Sequence, residues 1–462
     1  MQLDRLLEGV ERSFRSRRDF VRTRSHWLAG LLNLGRHTVT GTLTTAGQQH
    51  HDWSADYRMY QRLPIDQVYG YLQQQTLERT TGPWVVAMDD SCTRKTGRRI
   101  PGCGWRRDPL SPPFHVNFTW GQRVLQLSAA IPAHHGAARL VPIDWTEAPL
   151  PPKPRQNATD EQRAAYAEAR RQANVNVVAL RRLTHLRTVT ERPIHFVVDG
   201  RFTNRTVLRH LPENTVMIGR IRKDTKLYEP CAPQKANGRP RRYGPVRPTP
   251  EQLRTDDSAW RNVPGWATDQ AHAFKVKTLG PVMARIRGVA APVQVVVIAP
   301  LGYRLRQGSR ILYRQPAYLI CTDPTVPVER VVQEYLWRWD IEVNFRDEKC
   351  LLGVSEAQLR HPTAVQRQPA GAVAAYALLL LAGLDAYGAT GRPPSVPLPK
   401  WRRKAPPRRA TTALLISQLR VELWSQCLRR ETLTHFWSRS PSKQNSFKPG
   451  SALAAAVFHA HH

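Results

Sequence analysis

The stretch IHFVVD, residues 194–199, is a short and mostly apolar run that ends in a carboxylate and is followed by Gly200. Such a run predicts a strand that is buried on both faces. Two similar runs are WVVAMDD at 84–90 and TVMIGRIR at 215–222, and a long helical pattern from Glu161 to Leu186 precedes the central run. Strands that alternate with a helix are typical of an α/β domain, so this is the fold class that we predict.

The sequence around these strands indicates further regions. FHVNFTWG at 114–121 and RVLQLSAAIP at 123–132 predict two strands joined by a tight turn at Gly121. Residues 223–320 combine proline-rich sequence with short β-type runs, which predicts an insertion of β-hairpins into the α/β domain. Residues 391–462 begin with a basic, proline-rich linker and continue into one helix and a polar tail.

The first eighty residues are basic and have a helical pattern. Gly35 ends an apolar helical stretch, and Thr38 is suited to cap the next segment, as in a helix–turn–helix DNA-binding unit. A plain helical bundle with solvated arginines explains the same pattern equally well. Both interpretations stay open from the sequence.

The net charge limits the class of partner. The 462 residues include 69 lysines and arginines against 36 acidic residues, which gives a formal net charge of +33. An excess of this size predicts a polyanionic partner, and nucleic acid is favoured because phosphate neutralisation supplies most non-specific affinity. An anionic membrane is disfavoured, because the charge is spread along the chain and is not concentrated in one amphipathic segment.

The expected location is the cytoplasm. The six cysteines form no C-x-x-C pair, which favours a reducing compartment over a disulfide framework or a zinc site. The N-terminus lacks the apolar core of a signal peptide. The most apolar run, Ala372 to Leu384, is too short to span a bilayer and predicts a buried helix. We therefore expect a soluble protein without a membrane partner.

A stripe of polar residues marks the segment YLWRWDIEVNFRDEK, residues 335–349. Tyr335, Arg338, Glu342 and Lys349 follow one another at offsets of three, four and seven, which places them on one face of an α-helix. We predict that this helix begins near Val328 and runs to about Leu352. A packing helix would carry apolar residues at these positions, so the stripe indicates a site for a metal ion beside a phosphodiester.

Acidic residues also end two predicted strands. Asp89 and Asp90 end the first strand and Asp199 ends the central one, at the edge where α/β sheets usually bind ligands. With Glu342, two strand-end carboxylates can hold two Mg²⁺ ions, hard cations that promote in-line displacement at phosphorus. Neighbours on a strand face opposite sides, so only one of Asp89 and Asp90 can join the site, and Asp89 is favoured.

Each of these acids also has a simpler interpretation. Asp199 before Gly200 is suited to form a turn. Glu342 lies one helical turn after Arg338 and can be its partner in a surface ion pair, which is worth about 0.3–0.5 kcal/mol. The combination of three acids with the net charge and the strand order favours the functional interpretation.

The chain resembles the bacterial insertion-sequence DDE transposases, specifically the insertion sequence 4-like group marked by Y-x2-R-x3-E-x6-K. Tyr335, Arg338, Glu342 and Lys349 match that signature at every spacing. The D-D-S at 89–91 is similar to the group's first motif, D-x-S/T, and the D-G-R-F at 199–202 is similar to its second. The resemblance covers roughly residues 80–390.

The resemblance implies a ribonuclease-H-like catalytic core in two parts, 81–222 and 321–390, separated by the β-rich insertion at 223–320. Residues 1–80 would form a helical DNA-binding domain, and 391–462 a linker with a C-terminal helix. Asp89, Asp199 and Glu342 would be the catalytic metal ligands for two Mg²⁺ ions, which Mn²⁺ can replace. Tyr335, Arg338 and Lys349 would contact the terminal phosphates of the DNA.

The implied activity is strand cleavage at inverted-repeat ends of double-stranded DNA, followed by joining to target DNA, by a homodimer. Four aromatic residues in or near the insertion are candidates to stack on a flipped base: Trp260, Trp266, Tyr303 and Tyr313. Two alternatives remain, which are a metal-dependent nuclease of the same fold and a transposase-derived DNA-binding protein that has lost catalysis.

Overall fold

The fold is given by a computed structural model that describes residues 2–108, 111–112, 114–133, 136–231, 241–267, 270–304, 308–391 and 409–430. Almost all of the predicted basic linker and the whole of the predicted polar tail lie outside these residues. The predicted C-terminal helix lies within them.

Five helices precede the first strand, and strands and helices are mixed along the rest of the chain. The helices are α1 Gln2–Glu11, α2 Arg17–Leu32, α3 Val39–Thr45, α4 Ser54–Arg62, α5 Ile65–Glu78, α6 Asp160–Gln172, α7 Val175–Arg187, α8 Arg205–Leu208, α9 Pro250–Thr255, α10 Val328–Trp337, α11 Asp340–Cys350, α12 Pro362–Tyr387 and α13 Thr412–Arg430. The strands are β1 Trp84–Arg94, β2 Gly104–Arg107, β3 Phe118–Pro132, β4 Ala138–Ala148, β5 Ile194–Val198, β6 Thr215–Arg220, β7 Leu227–Tyr228, β8 Val246–Arg247, β9 Arg261–Ala267, β10 Gln270–Ala284, β11 Val293–Ile298, β12 Gly302–Tyr303, β13 Leu312–Tyr313 and β14 Ala317–Cys321.

A large mixed sheet forms the centre of the molecule. Its main order is β2-β3-β1-β5-β6-β14-β11-β10-β7-β8, with β4 paired to β3 and β9 paired to β10. β1, β5 and β6 are mutually parallel neighbours, whereas β3 and β4 are antiparallel additions on the other side of β1. This order is compatible with a ribonuclease-H-like core. The strands of the region predicted as an insertion continue the same sheet, because β14 pairs with β6.

The two faces of the sheet pack against different helices. Along β1, Val85 and Ala87 belong to the apolar cluster that also contains residues of α10, α11 and α12. Val86 and Met88 belong to the cluster on the opposite face, which contains residues of α7. β5 alternates in the same way, with Val197 on the first face. The period of two therefore fixes which face each strand-end carboxylate joins.

Gly121 does not form the predicted turn. β3 passes straight through it, and Gly121 pairs with Arg94 of β1. A Cβ at this position would lie 2.2 Å from the carbonyl oxygen of Thr93. Glycine is thus required for a close approach of two backbones, and the prediction of two separate strands was wrong.

The helix predicted from Glu161 to Leu186 is also interrupted. Asn174 has extended backbone angles, and its side chain accepts the N–H of Asn176 at 2.9 Å. This is an N-cap, which ends α6 and begins α7. The sequence pattern gave no sign of the break. α6 buries none of its residues, so it has no buried apolar face whose end would mark the end of the helix.

The single helix predicted near Val328 to Leu352 is likewise two helices, α10 and α11. Between them the backbone N–H groups of Trp339, Ile341 and Glu342 bond to carbonyls three residues earlier. Such bonds tighten the turn relative to an α-helix and rotate α11 relative to α10. Asp340 fixes the start of α11, because its carboxylate accepts the Leu140 N–H at 3.0 Å and pairs with Arg409 at 2.6 Å.

α1, α2 and α5 pack on α12 in one apolar cluster that also reaches the sheet, whereas α3 and α4 form a second cluster with the start of α12. Thr38 caps α3 as expected, since its hydroxyl accepts the Gly41 N–H at 3.0 Å. α12 is long and apolar enough to cross a membrane, but 67% of its most apolar window is buried inside the fold. The predicted burial of this helix is therefore observed, although the helix is longer than its apolar run.

Candidate active site

The register of the central strands brings two aspartates together. Met88 of β1 pairs with Val198 of β5 in a parallel ladder, and each is followed by an aspartate. Asp89 continues the face of Val85 and Ala87, and Asp199 follows the face of Val197. Both carboxylates thus reach the same edge and the same face of the sheet, as parallel neighbours require.

The tight turn before α11 brings Glu342 to the same place. Asp89, Asp199 and Glu342 all line a cleft of about 1220 Å³. The other acid in the lining is Asp224. The cationic lining residues, which outnumber the acids, are Arg220, Arg222, Lys226, Arg242, Arg285, Arg287 and Arg338. A cleft with this balance is suited to a polyanion.

Arg338 lies between two of the carboxylates. Its Nη1 is 2.9 Å from Asp89 Oδ2 and 3.9 Å from Glu342 Oε1. The side chains of Arg338 and Asp89 are 8% and 12% exposed, whereas that of Glu342 is 47% exposed. Arg338 is therefore the close partner of Asp89. Its contact with Glu342 is long, so a simple ion pair with Arg338 does not explain why a glutamate stands at position 342.

Burial raises the pKa of Asp89 to about 7. The nearby charge of Arg338 lowers the pKa of this carboxyl, while the charges of Asp199 and Glu342 raise it. Carboxylates repel one another when they share a poorly solvated site, so a cation among them is favourable. Arg338 supplies part of that positive charge.

Asp199 also has the turn-forming role that its sequence allows. Its Oδ1 accepts the backbone N–H of Arg201 at 2.9 Å. The turn and the cleft are compatible, because a carboxylate accepts several bonds through its two oxygens.

Asp90 lies on the opposite face of β1 from Asp89. It pairs with Arg123 at 3.0 Å and with Arg201 at 3.2 Å. It does not line the cleft. Of the two adjacent aspartates, the geometry places Asp89 next to Asp199 and Glu342.

The two remaining residues of the predicted stripe, Tyr335 and Lys349, do not line this cleft. Tyr335, on α10, lines a neighbouring cleft of about 390 Å³ together with Trp266, while Arg338 lines both clefts. Lys349, on α11, donates to the hydroxyl of Ser91 at 2.6 Å, two residues beyond Asp89 on β1. The predicted stripe on one helix is thus divided between α10 and α11. Tyr335 stays next to Arg338, whose guanidinium carbon lies 5.8 Å from the centre of its ring.

Several residues of the cleft had no signal in the sequence. Trp339 lines it and is 59% exposed. Arg242, Arg285 and Arg287 come from the region predicted as an insertion and form part of the wall. Their proximity depends on the pairing of β10 and β11 with the central sheet, which local patterns do not reveal.

The donor set of the cleft fits a hard divalent cation, since carboxylate oxygens are the preferred ligands of Mg²⁺ and Mn²⁺. The residues that would hold it are Asp89, Asp199 and Glu342. Among the residues that the structure describes, however, no three His, Cys, Asp or Glu side chains are clustered tightly enough to form a ready metal site. Arg338 holds one oxygen of Asp89, so the carboxylates would have to exchange this partner.

A sheet with two acids just beyond the end of a parallel ladder, beside a mainly cationic cleft, is typical of an enzyme that acts on nucleic acid. The chain belongs to the DDE superfamily endonuclease family, whose sequence model matches residues 11–276. Membership of this family makes the chain a transposase or nuclease of the DDE type, a class that acts on DNA and generally uses divalent metals. No curated protein matches the chain significantly.

Proposed function

We propose that the protein is a DNA transposase of the insertion sequence 4-like group, which cuts DNA at inverted-repeat ends and joins these ends to target DNA. The observation that carries the proposal is the convergence of Asp89, Asp199 and Glu342 on one mainly cationic cleft. These residues come from three separate parts of the chain. Their meeting at one edge of the sheet is what the transposition chemistry needs.

The acids and cations of the cleft have different roles in this proposal. Asp89, Asp199 and Glu342 would hold two Mg²⁺ ions, which when bound activate the nucleophile and stabilise the leaving oxygen. Arg338 binds and orients the phosphate at the cleaved bond, for which its planar fork is suited. Tyr335 and Lys349 contact phosphates on either side of the cleaved bond. Tyr335 lines the neighbouring cleft, and Lys349 lies beside Ser91, further along β1.

The remaining parts of the chain supply DNA binding and assembly. In α2 and the segment before it, Arg12, Arg15 and Arg18 are exposed and available to phosphates. Residues 1–80 would bind the inverted-repeat ends as a helical domain. Two ends must meet during transposition, so a homodimer on DNA in the cytoplasm is part of the proposal.

A nuclease that cuts without joining is the second candidate. The family match ends at residue 276 and so does not reach α11. Glu342 is thus outside the matched range, and family membership is equally compatible with a nuclease. The distinction depends on the products of the reaction.

The test uses purified protein, Mg²⁺ or Mn²⁺, a labelled inverted-repeat end taken from DNA flanking the coding region, and a supercoiled plasmid as target. Cleavage with joined product supports the transposase, and cleavage without it supports the nuclease. Binding without cleavage in either metal indicates a protein that has lost catalysis.

Glu342→Gln should lower cleavage by at least about 100-fold, which exceeds the 10- to 100-fold effect of changing a residue that only orients a metal ligand. End binding should remain. The matched control is Glu329→Gln, on α10, because that side chain is 53% exposed and does not line the cleft. If Glu342→Gln cleaved DNA at the wild-type rate, the assignment of Glu342 to the active site would be wrong.

A further inference from the structure

Exposed aromatic rings and arginines share the outer end of the sheet. Trp105 of β2 and Phe118 of β3 are 56% and 63% exposed. Trp105 pairs across the strands with Trp120, and Arg107 pairs with Phe118. Residues directly opposite in an antiparallel ladder have their side chains on the same face. These four residues and Arg98 form what we call the aromatic–arginine surface.

This surface lies on the same face of the sheet as Asp89. Alternate residues of β3 share a face, and they run from Phe118 and Trp120 to Gln126, which pairs with Asp89. Eight residues separate Phe118 from Gln126, which at about 3.3 Å per residue is about 26 Å. Duplex DNA covers that length with about eight base pairs.

The surface is a built arrangement of rings around a guanidinium. The Arg98 guanidinium carbon lies 4.6 Å from the centre of the Trp105 ring and 5.0 Å from that of Trp120. Trp120 is held in turn, because its indole N–H donates to the Gly97 carbonyl at 3.1 Å. Neither Trp105 nor Phe118 belongs to the apolar clusters of the described residues. Packing of the core therefore does not explain them.

The surrounding charge determines the kind of partner. Arg98, Arg99 and Arg107 are exposed, and the nearby Asp108 pairs with Arg94 at 2.9 Å. A second copy of this chain would bring another net charge of +33 and would set arginines against arginines. A polyanion with flat aromatic groups complements both features of the surface.

We propose that the aromatic–arginine surface binds unpaired DNA strand during the reaction in the cleft. Bases inside a duplex have their faces covered by neighbours, whereas unpaired bases can stack on Trp105 and Phe118. Arg98 and Arg107 contact the phosphates of the same strand. This inference rests on the proposed action on DNA and adds a second contact, on the order of 26 Å from the acids along the strand.

The test compares the affinity of full-length protein for a 20-nucleotide oligo-dT and for a duplex of equal length, by fluorescence anisotropy at fixed salt without metal. The double variant Trp105→Ala/Phe118→Ala should bind oligo-dT at least about 10-fold more weakly, since alanine substitution removes stacking of about two bases. Duplex affinity should change by less than about 3-fold, since duplex binding depends on phosphate contacts that the variant retains.

Three controls keep the result interpretable. Trp105→Tyr/Phe118→Tyr keeps an aromatic ring at each position and should bind oligo-dT as the wild type does. This result would assign the loss in the alanine variant to the missing rings and not to misfolding. Val246→Ala removes another exposed apolar side chain, on β8 at the opposite end of the sheet from β2, and should leave oligo-dT binding unchanged. Glu342→Gln should bind oligo-dT as the wild type does. Loss of cleavage in this variant therefore tests the proposed active site, and loss of oligo-dT binding in the alanine variant tests the aromatic–arginine surface.

Three results would overturn the inference. One is an unchanged affinity of the alanine variant for oligo-dT, and another is an equal loss on the duplex. The third is a difference in oligomeric state between the alanine variant and the wild type in analytical ultracentrifugation. That result would make the surface an interface between two copies of the chain.

Discussion

Arg338 Nη1 lies 2.9 Å from Asp89 Oδ2, and this ion pair in the lining of the mainly cationic cleft is almost completely buried. The pair joins the first predicted acid to the signature helix region over 249 residues of sequence. It links β1 to the turn between α10 and α11. The pair is therefore expected to matter for stability as well as for cleavage.

Removal of one partner from this pair should be costly. Arg338→Ala should lower the free energy of unfolding by about 3 kcal/mol, because it leaves a buried carboxylate without its cation. The double variant with Asp89→Asn should lose less than the sum of the two single variants, as expected for groups in contact. Urea denaturation of the four proteins gives these values.

The control for this cycle is the exposed pair of Arg247 and Glu229, whose atoms are 3.3 Å apart. Changes there should cost less than about 1 kcal/mol. Additive effects of Arg338→Ala and Asp89→Asn would mean that the pair does not exist in solution.

The two adjacent aspartates should behave differently. Asp89→Asn should reduce cleavage by at least about 100-fold, by the same reasoning as for Glu342. Asp90→Asn should retain cleavage within about 10-fold and instead reduce stability, because Asp90 lies on the other face of β1 and pairs with Arg123 and Arg201. Cleavage rates and unfolding curves of both variants check this. The reverse outcome would assign the site to Asp90.

Salt should weaken DNA binding steeply. The logarithm of the affinity should fall linearly with the logarithm of salt concentration, with a slope of about −0.9 for each phosphate neutralised. Arg285→Ala/Arg287→Ala should reduce the magnitude of that slope by about 2, since both side chains are exposed in the cleft wall.

The matched control for the salt experiment is Arg170→Ala/Arg181→Ala. It removes the same charge from the exposed sides of α6 and α7, and α7 packs on the opposite face of the sheet. Its slope should equal that of the wild type. Equal slopes for all three proteins would show that the cleft wall does not contact the DNA backbone.

Glu348 should make stability depend on pH. Burial raises the pKa of this carboxyl from 4.5 to about 8, so the folded protein keeps the proton that the unfolded chain releases. Stability from this group is therefore complete below pH 4.5 and is lost as pH rises towards 8, by up to about 1.4 kcal/mol per pH unit. Glu348→Gln, which mimics the neutral acid, should remove this decline.

Thermal unfolding between pH 5 and pH 9 measures the decline. Glu161→Gln, an exposed acid on α6, is the control and should follow the wild-type profile. If Glu348→Gln lost stability with rising pH as the wild type does, Glu348 would be ionised at neutral pH in the folded protein.

Local patterns in the sequence predicted the central strands, but the prediction that β1 ends at Asp89 and Asp90 was wrong. β1 continues to Arg94 because it stays paired with β3, and only its parallel ladder with β5 ends at Met88. The proximity of the acids was predictable because strand period and parallel pairing together place Asp89 and Asp199 at one edge. The role of Gly121 was not predictable, since it depends on the carbonyl of Thr93 in another strand. The walls of the cleft depend on the pairing of β14 with β6, which is also a long-range contact.

The same limit applies to the aromatic residues. The candidates for base stacking in the sequence were Trp260, Trp266, Tyr303 and Tyr313, all in or near the insertion. In the structure Trp260 is covered by Lys277 at 4.8 Å, and Trp266 lines the cleft of Tyr335. Their role in stacking stays a prediction. Trp105 was overlooked because β2 has only four residues and no alternating pattern that marks it as a strand. Phe118 lies in a predicted strand, but its proximity to Trp105 depends on the pairing of β2 with β3.

The tight turn between α10 and α11 has a thermodynamic consequence. It leaves Arg338 as a wall common to two clefts, one with the acids and one with Tyr335. A ligand that draws the guanidinium towards one cleft weakens its contacts in the other. By linkage, occupancy of either cleft must change the affinity of the other by the same factor. Because Arg338 lines both clefts, we expect binding in one cleft to depend on binding in the other.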